Sequence, residues 1–115
     1  MKNTSAHQDE HEFLKALAEP IRLRILMLLT SGELCVCDLT DVLALPQSTI
    51  SRHMSRLKSA GIVADRRDGR WVHYRLNKTE FLDGIGTFLN RLSEIDPYRD
   101  DRRKLLEHRK ASACQ

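Results

Sequence analysis

The dipeptide Asp68-Gly69 is the feature that most restricts the fold of this chain. It lies between two runs rich in β-branched and aromatic residues, 62–67 and 70–76. An Asp-Gly pair between two such runs is the strongest short-range signal of a β-hairpin, because glycine adopts the positive φ that a tight turn needs. Side chains alternate along the second run, so one set is expected to pack inward while the other faces solvent.

The segments before the hairpin have helical periodicity. Apolar residues recur at spacings of three and four in segments that begin near residues 12, 20, 37 and 47, as in helices with one buried face. The break Ala44-Leu45-Pro46 separates the last two of these helices. Two short helices joined by a tight turn, with a hairpin after them, predict a winged helix-turn-helix, a mainly α fold with a β-hairpin wing. An ordinary helical hairpin is the alternative for the helix pair.

This same region carries the positive charge of the chain. The formal net charge is +3, but residues 47–75 hold seven basic and two acidic residues, a net +5, which leaves −2 for the remainder. Such a segment is typical of polyanion binders, although a solvated charged face has the same composition. We therefore predict that the second helix enters the major groove of operator DNA and that the wing holds phosphates. The candidate DNA-binding residues are Gln47, Ser48, Thr49, Ser51, Arg52 and Arg56 in the helix and Arg66, Arg67 and Arg70 in the wing.

A wide apolar stripe follows the hairpin, on a helix predicted to start near Lys78. Its members are Phe81, Leu82, Ile85, Phe88, Leu89 and Leu92. A small domain does not need so wide a stripe, so the first and last helices are predicted to form a homodimer interface. A cap on the core of a single chain is the alternative. The predicted domain therefore spans residues 12–95, between a flexible N-terminus (1–11) and a charged C-terminal tail (96–115).

Composition excludes several classes of protein. The 115 residues fit one domain. The first residues lack the pattern of a secretion signal, and the longest apolar run, 25–29, is too short to span a membrane, so a cytoplasmic protein is predicted. The chain has neither a Gly-rich phosphate loop nor a Ser-His-Asp order, which argues against an enzyme. A thiol oxidoreductase is a remote alternative, because its usual motif is Cys-x-x-Cys and this chain has Cys-x-Cys.

The chain contains three cysteines, Cys35, Cys37 and Cys114. In a reducing compartment, metal binding or redox sensing is favoured over a structural disulfide, and thiolates suit soft ions. Residues at i and i+2 do not share a helical face. For both sulfurs to meet one ion, the first turn of the helix that carries Cys35 and Cys37 must therefore unwind or distort, and this would disturb the support of the recognition helix. Two inert, buried cysteines are the alternative.

Three blocks carry a family resemblance: ELCVCDL at residues 33–39, QSTISRH at 47–53 and GRWVHYRL at 69–76. In order and spacing they resemble the ArsR/SmtB metal-sensing repressors over residues 12–92. The resemblance implies a symmetric dimer of winged-helix domains that represses a resistance operon and leaves its operator DNA when an effector binds. It places the effector site at Cys35 and Cys37, with trivalent arsenic or antimony as the effector and no constitutive cofactor.

The sequence departs from this family at Thr40, where three-cysteine arsenite sensors carry their third cysteine. Cadmium sensors of the family recruit cysteines from an N-terminal extension, but residues 1–34 contain none. Either a small-molecule thiol or water completes the site, or Cys114 does, from the same subunit or its partner. The first is expected, since ordering a residue next to the C-terminus is costly. A cadmium- or lead-responsive repressor and a redox-switched repressor remain alternatives.

Overall fold

The computed structural model describes residues 2–111, with side chains from residue 10 onwards. Within that range the helices are α1 (Lys2–Leu17), α2 (Pro20–Leu29), α3 (Val36–Leu43), α4 (Gln47–Ser59), α5 (Glu80–Gly84), α6 (Gly86–Leu92) and α7 (Tyr98–Ala111). The strands are β1 (Leu34–Cys35), β2 (Val63–Asp68) and β3 (Trp71–Leu76). The predicted winged helix-turn-helix is confirmed, with α3 and α4 as the helix pair and β2–β3 as the wing.

The turn between α3 and α4 depends on one residue in an unusual conformation. Ala44 follows α3 with a φ of 55°, the left-handed conformation that ends many helices, and its N–H bonds the carbonyl of Thr40. Pro46 precedes α4 in an extended conformation and offers no side-chain cap. Its fixed φ and missing N–H suit the entry to a helix, so the sequence break forms the tight connection that orients α4 against α3.

The hairpin differs from its prediction by one residue. Asp68 pairs with Trp71 as part of the ladder, so the turn residues are Gly69 and Arg70 rather than Asp68 and Gly69. Gly69 has a φ of 62° and Arg70 does not have a positive φ, which is the pattern of a type II′ turn with glycine first. Tyr74 and Leu76 pack on the core while Arg75 is exposed, which confirms the predicted alternation.

The sheet contains a third strand that the periodicity did not predict. β1 is two residues long and pairs antiparallel with β3, with Leu34 opposite Tyr74 and Cys35 opposite His73. The strand order is β1-β3-β2. The wing is therefore joined by backbone hydrogen bonds to the segment that ends at Cys35, immediately before α3.

The apolar stripe after the hairpin lies on two helices rather than one. Helices α5 and α6 meet at Ile85, between Gly84 and Gly86, where the low helix propensity of glycine favours a break. Phe81 packs against Phe13 of α1 with ring centroids 5.0 Å apart, and Leu89 and Leu92 are buried. Much of the stripe therefore covers the core of its own chain.

Helix α7 occupies the segment that the sequence suggested as a charged tail. It packs against α2 and α3 and buries Leu105 and Asp101, which are 1% and 2% exposed. Asp101 accepts two hydrogen bonds from Arg24 of α2, from Nε at 2.9 Å and from Nη2 at 2.8 Å. At the other end, α1 extends back to Lys2, so the suggested boundary at residue 12 falls inside a helix. The division of the chain into three regions remains a prediction.

None of the helices within residues 2–111 is both long enough and apolar enough to cross a membrane.

Candidate thiolate site and nucleic-acid interface

Cys35 lies outside α3, where it caps the helix. Its backbone is extended, with φ −88° and ψ 166°. Its Sγ accepts a hydrogen bond from the N–H of Asp38 at 3.4 Å, and the Asp38 carboxylate accepts one from the N–H of Cys35 at 2.9 Å. This reciprocal pair is a capping box with a thiol in the place usually taken by a hydroxyl.

The cap corrects the expectation that the first turn must unwind for both sulfurs to reach one ion. Because Cys35 precedes α3 and Cys37 lies in its first turn, the helical rule for i and i+2 does not apply to them. The ligand atoms of Cys35, Cys37 and Asp38 all lie within 4.8 Å of one another while α3 keeps its first turn. The two sulfurs therefore lie close together without any unwinding of the helix.

The two cysteines differ in environment and in bonding. Cys35 is 2% exposed, and burial raises the pKa of its thiol despite the Asp38 N–H that bonds its sulfur. Cys37 is partly exposed and is disulfide-bonded. The predicted site residue Cys114 lies outside the described residues. To bind Cys35, a soft ion must displace the proton of the thiol. The raised pKa makes this displacement less favourable, so the affinity of the ion for the thiolate must outweigh that cost.

Asp38 also connects the thiolate site to α7. The imidazole of His108 lies between two carboxylates of α3, with Nε2 2.7 Å from Asp38 Oδ1 and Nδ1 2.7 Å from Asp41 Oδ2. Burial opposes the charge on His108, but the two carboxylates outweigh it and raise the pKa of His108. Burial likewise opposes the charge on Asp38, and the Cys35 N–H and His108 outweigh it, so the pKa of Asp38 is lowered. The result is a charged bridge between α7 and the start of α3.

A cavity of about 180 Å3 opens beside the sulfurs. Its walls come from β1 and α3, from the first residue of α4, and from the wing. The lining residues are Cys35, Val36, Cys37, Thr40, Gln47, Arg70, Trp71 and Val72. The cavity therefore places the cysteine pair next to Gln47 and Arg70, two of the residues predicted to contact DNA.

Helix α4 divides into a buried and an exposed face, as predicted for a recognition helix. Ile50, Met54 and Leu57 are fully buried. The exposed face of the first two turns has Gln47, Ser48 and Arg52, with Thr49 and Ser51 half-buried beside them. This arrangement presents short polar side chains and one arginine around the helix N-terminus, where base-edge contacts are made in helix-turn-helix proteins.

The buried face of α4 also contains an unpredicted polar contact. His53 is 6% exposed and its Nδ1 lies 3.2 Å from Nη1 of Arg22 in α2. Arg22 is itself held by the carbonyl of Ala16 at 2.6 Å. Burial lowers the pKa of His53, so a neutral imidazole accepts from the guanidinium. The contact fixes α4 against α2. It does not involve the exposed face of α4, which is the face predicted to enter the DNA groove.

The predicted phosphate-binding arginines fall into two groups. Arg56 forms an ion pair with Glu12 of α1 at 3.1 Å. Arg66 forms a bidentate ion pair with Glu33, with N–O distances of 2.8–3.1 Å. By contrast, Arg67 and Arg70 at the wing, like Arg52, are exposed and form no ion pair with any residue in the described range. Only the second group presents an uncompensated positive charge.

Sequence reasoning missed three residues of the site: Asp38 as its third polar group, Trp71 as a cavity wall and His108 as the bridge from α7. The spacing Cys35-x-x-Asp38 is that of a capping box and could have indicated the first. The contact of His108 with Asp38 spans 70 residues, and a lone histidine in a charged segment carries no local signal of such a partner.

Comparison with known proteins supplies a family. The model of the family described as "Bacterial regulatory protein, arsR family" matches residues 19–65. The arsenic resistance transcriptional regulator ArsR1 of Pseudomonas putida is 53% identical over 64 residues, which cover 55% of this chain and 50% of that protein. The chain thus spans about half the length of that relative. The arsenical resistance operon repressor of Staphylococcus xylosus is 40% identical over 91 residues, covering 79% of this chain and 86% of that protein.

Solved structures agree with the fold. One is the homodimeric winged helix-turn-helix DNA-binding domain of a possible ArsR-family transcriptional regulator from Mycobacterium bovis. It matches with a TM-score of 0.68 and 28% identity, over 81% of this chain and 85% of that chain. These relatives are transcriptional regulators rather than enzymes.

Proposed function

This chain belongs to the ArsR family of bacterial regulatory proteins, and we propose that it is a homodimeric repressor that leaves its operator DNA when trivalent arsenic or antimony binds Cys35 and Cys37. The names of the P. putida and S. xylosus relatives support arsenic as the effector. The donor atoms support it too, since a pair of sulfurs suits a soft, thiophilic ion better than a hard one.

The DNA-binding part of the proposal rests on α4 and the wing. Gln47, Ser48, Thr49, Ser51 and Arg52 would face base edges in the major groove. Arg67 and Arg70 would hold phosphates, because their charges are not neutralised within the described chain. Arg56 and Arg66 would have to exchange Glu12 and Glu33 for phosphate, so their contribution is expected to be smaller.

The observation that carries the effector part is the shared wall of the cavity. An ion on Cys35 and Cys37 lies in the space bounded by Gln47, Arg70 and Trp71. Cys35 is in addition paired with His73 of the wing strand. A ligand that draws the two sulfurs together therefore acts directly on the start of the recognition helix and on the wing, without a long chain of intermediates.

The free energy that this coupling requires is small. A tenfold loss of operator affinity needs about 1.4 kcal/mol of difference between the ion's affinity for free and DNA-bound protein. Binding at Cys35 would also draw electron density from the sulfur that accepts the N–H of Asp38, which would weaken the cap of α3. Both effects favour a protein shape that fits DNA less well.

The homodimer part of the proposal rests on exposed apolar side chains. Leu14 of α1 and Phe88 of α6 are 60% and 53% exposed, and each lies on one of the helices predicted to form the interface. We expect Phe88→Glu to yield monomers in sedimentation-velocity measurements. The matched control is Leu106→Glu on α7, at a side chain that is 52% exposed and outside the predicted interface. Monomers in both variants, or dimers in both, would contradict this interface.

The test of the whole proposal is an anisotropy titration of labelled upstream DNA with protein reduced by a phosphine, with and without arsenite. Arsenite is expected to release wild-type protein and to leave Cys35→Ser and Cys37→Ser bound. Cys35→Ser is well suited to this test, because serine is a preferred N-cap and keeps the cap of α3 while removing the thiolate. Release of the serine variants would contradict the thiolate site, and an effect of cadmium or lead alone would contradict the choice of effector.

A redox-switched repressor is the second candidate, favoured by the disulfide at Cys37. Its step would be the oxidation of two thiols by peroxide, with one disulfide and two waters as products. Operator release by peroxide in the absence of arsenite, reversed by the phosphine, would support it. Release by arsenite in fully reduced protein distinguishes the metalloid sensor from the redox switch.

A further inference from the structure

An open groove of about 380 Å3 lies between α2 and α4 and shares no lining residue with the cavity beside the cysteines. Its described lining consists of three arginines, one histidine and two serines, and none of these residues is acidic. They are Arg22 of α2 and Arg52, His53, Ser55, Arg56 and Ser59 of α4. Guanidinium groups and hydroxyls donate hydrogen bonds to phosphate oxygens. The groove therefore has the donors and the charge of an anion-binding site.

Arg22 is held in place at the wall of this groove. Its Nε donates to the carbonyl of Ala16 at 2.6 Å, and its Nη1 lies 3.2 Å from Nδ1 of His53. The carboxylate of Glu19 accepts from the backbone N–H of Arg22 rather than from its guanidinium. Among the described residues, no hydrogen bond uses Nη2 of Arg22 and no carboxylate forms an ion pair with its side chain. A guanidinium oriented in advance loses little side-chain entropy when it bonds an anion.

The groove continues the exposed face that α4 is predicted to present to DNA. Exposed residues recur along this face at spacings of three and four, as on one side of a helix: Ser48, Arg52, Ser55 and Ser59. Helix α4 has 13 residues and is therefore about 20 Å long, whereas the major groove is about 12 Å wide. When the N-terminus of α4 contacts base edges, its last two turns are expected to reach the sugar-phosphate backbone.

Arg56 is the arginine of the groove whose charge is compensated. Its Nη2 donates to Oε1 of Glu12 at 3.1 Å, and the two side chains are 32% and 46% exposed. Glu12 does not itself line the groove, so an anion in the groove competes with Glu12 for the same guanidinium. Ion pairs with this much exposure to water are weak. The exchange of the carboxylate for a phosphate therefore costs little.

We propose that this groove holds one phosphate of the operator backbone between Arg22 and Arg56, and that Glu12 occupies Arg56 until DNA binds. The hydroxyls of Ser55 and Ser59 supply further donors to the same phosphate. This inference rests on the proposed function, and it adds to the DNA-binding surface a residue of α2 that the sequence did not indicate.

Neutralising the phosphates of the DNA one at a time identifies the one that the groove holds. Operator duplexes with a single methylphosphonate lack one negative charge at a known position. At one position in each half-site, this change is expected to weaken wild-type binding about tenfold. Arg22→Gln should weaken binding to unmodified DNA by a similar factor and should become insensitive to that position. It should also lower the slope of log affinity against log salt by about one per subunit.

Two control variants accompany Arg22→Gln. Arg103→Gln on α7 removes the same charge where Asp100 and Glu107 already compensate it, so it should keep the wild-type response to every methylphosphonate. Arg67→Ala in the wing should lose sensitivity at a different phosphate.

Glu12→Gln provides a test that a loss of folding cannot imitate. Removal of the competing carboxylate is expected to raise the affinity for operator and scrambled DNA about twofold to fivefold. Arg56→Gln in the same chain should abolish this gain. The matched control is Glu107→Gln, which removes a carboxylate partner of Arg103 on α7 and should leave DNA affinity unchanged.

Four other results would have definite meanings. If Arg22→Gln weakens binding but stays sensitive to every methylphosphonate, Arg22 only supports α4 and the proposal is wrong. A gain in Glu12→Gln that persists without Arg56 would be a general charge effect and would also overturn it. So would tight calorimetric binding of inorganic phosphate without DNA, lost in Arg22→Gln, because the groove would then take a small anion. Wild-type protein that does not bind its upstream DNA would instead refute the proposed function itself.

Discussion

Helices α4 and α7 are both rich in charge and both pack against α3, but they use their charges differently. Arg52 of α4 forms no ion pair within the described chain. On α7, Arg103 contacts Asp100 and Glu107, and Lys104 contacts Asp100. A cluster of basic residues therefore indicates a polyanion-binding surface only where the cations have no acidic partner within the structure. Where cations such as Arg103 and Lys104 contact carboxylates of their own helix, the same composition indicates locally compensated charge.

The largest effect that tests this contrast is expected at Asp101. Asp101→Ala removes the buried partner of Arg24 and leaves its guanidinium partly buried without the carboxylate, so we expect a loss of about 3 kcal/mol in the free energy of unfolding. Urea denaturation followed by circular dichroism measures it. Asp100→Asn is the control, because that carboxylate contacts the exposed Arg103 and Lys104, and its effect should be small. Equal losses in the two variants would remove the distinction between a docked and a merely charged helix.

The second effect concerns Arg52. Arg52→Ala is expected to weaken operator binding by about 1–3 kcal/mol and to relax discrimination at one base position, because a guanidinium at this place can bond a guanine edge through two hydrogens. Arg103→Ala on α7 removes the same charge and should leave DNA affinity nearly unchanged. Anisotropy titrations with operator and scrambled DNA compare the two variants, and a similar loss in both would show that net charge alone matters.

A smaller effect is expected at the wing. Arg67→Ala should reduce affinity for operator and scrambled DNA alike and lower the slope of log affinity against log salt by about one, as expected for one lost phosphate contact. Arg66→Ala should change the slope less, because Arg66 is held by Glu33. Glu33→Gln is expected to bring the effect of removing Arg66 up to that of removing Arg67. A salt series from each variant tests the order.

The smallest effect is the pH dependence of α7 docking. His108 has a raised pKa, so its stabilising contribution is complete below its ordinary value near 6.5 and is lost as pH rises through the raised value. Asp38 has a lowered pKa and stays ionised throughout that range. The difference in unfolding free energy between wild type and His108→Gln should therefore be larger at about pH 6 than at about pH 8.5. A difference independent of pH would show that His108 acts by packing rather than by charge.

Those parts of the fold that depend on local signals could be predicted from the sequence. The hairpin was found from a glycine between two β-prone runs, and the helix pair from apolar spacing and the break before Pro46. The one-residue error in the turn reflects a choice between two turn types that both accept glycine. Helix α7 was missed as a packed element because its buried positions include an aspartate, and the partner of that aspartate is Arg24, 77 residues away.

The sequence suggested residues for the candidate site but not the geometry around them. Cys35 and Cys37 were identified from their chemistry and from the family resemblance. The position of Cys35 outside the helix depends on the two-residue strand β1 and on the cap with Asp38. Such a short strand has no periodicity, and it exists because β3 offers it backbone partners. The two cysteine sulfurs accordingly lie close together beside an intact helix, where sequence reasoning expected the helix to unwind.

Trp71 lines the cavity beside Cys35 and Cys37 and is the single tryptophan of the sequence. The intrinsic fluorescence of the protein, excited at the red edge of indole absorption, therefore originates from one place, in the cavity beside the two cysteines and next to the turn of the wing. Occupation of the cavity and movement of the hairpin both change the surroundings of the same chromophore. Unlabelled protein can thus report ligand entry in real time by stopped flow, with no DNA present.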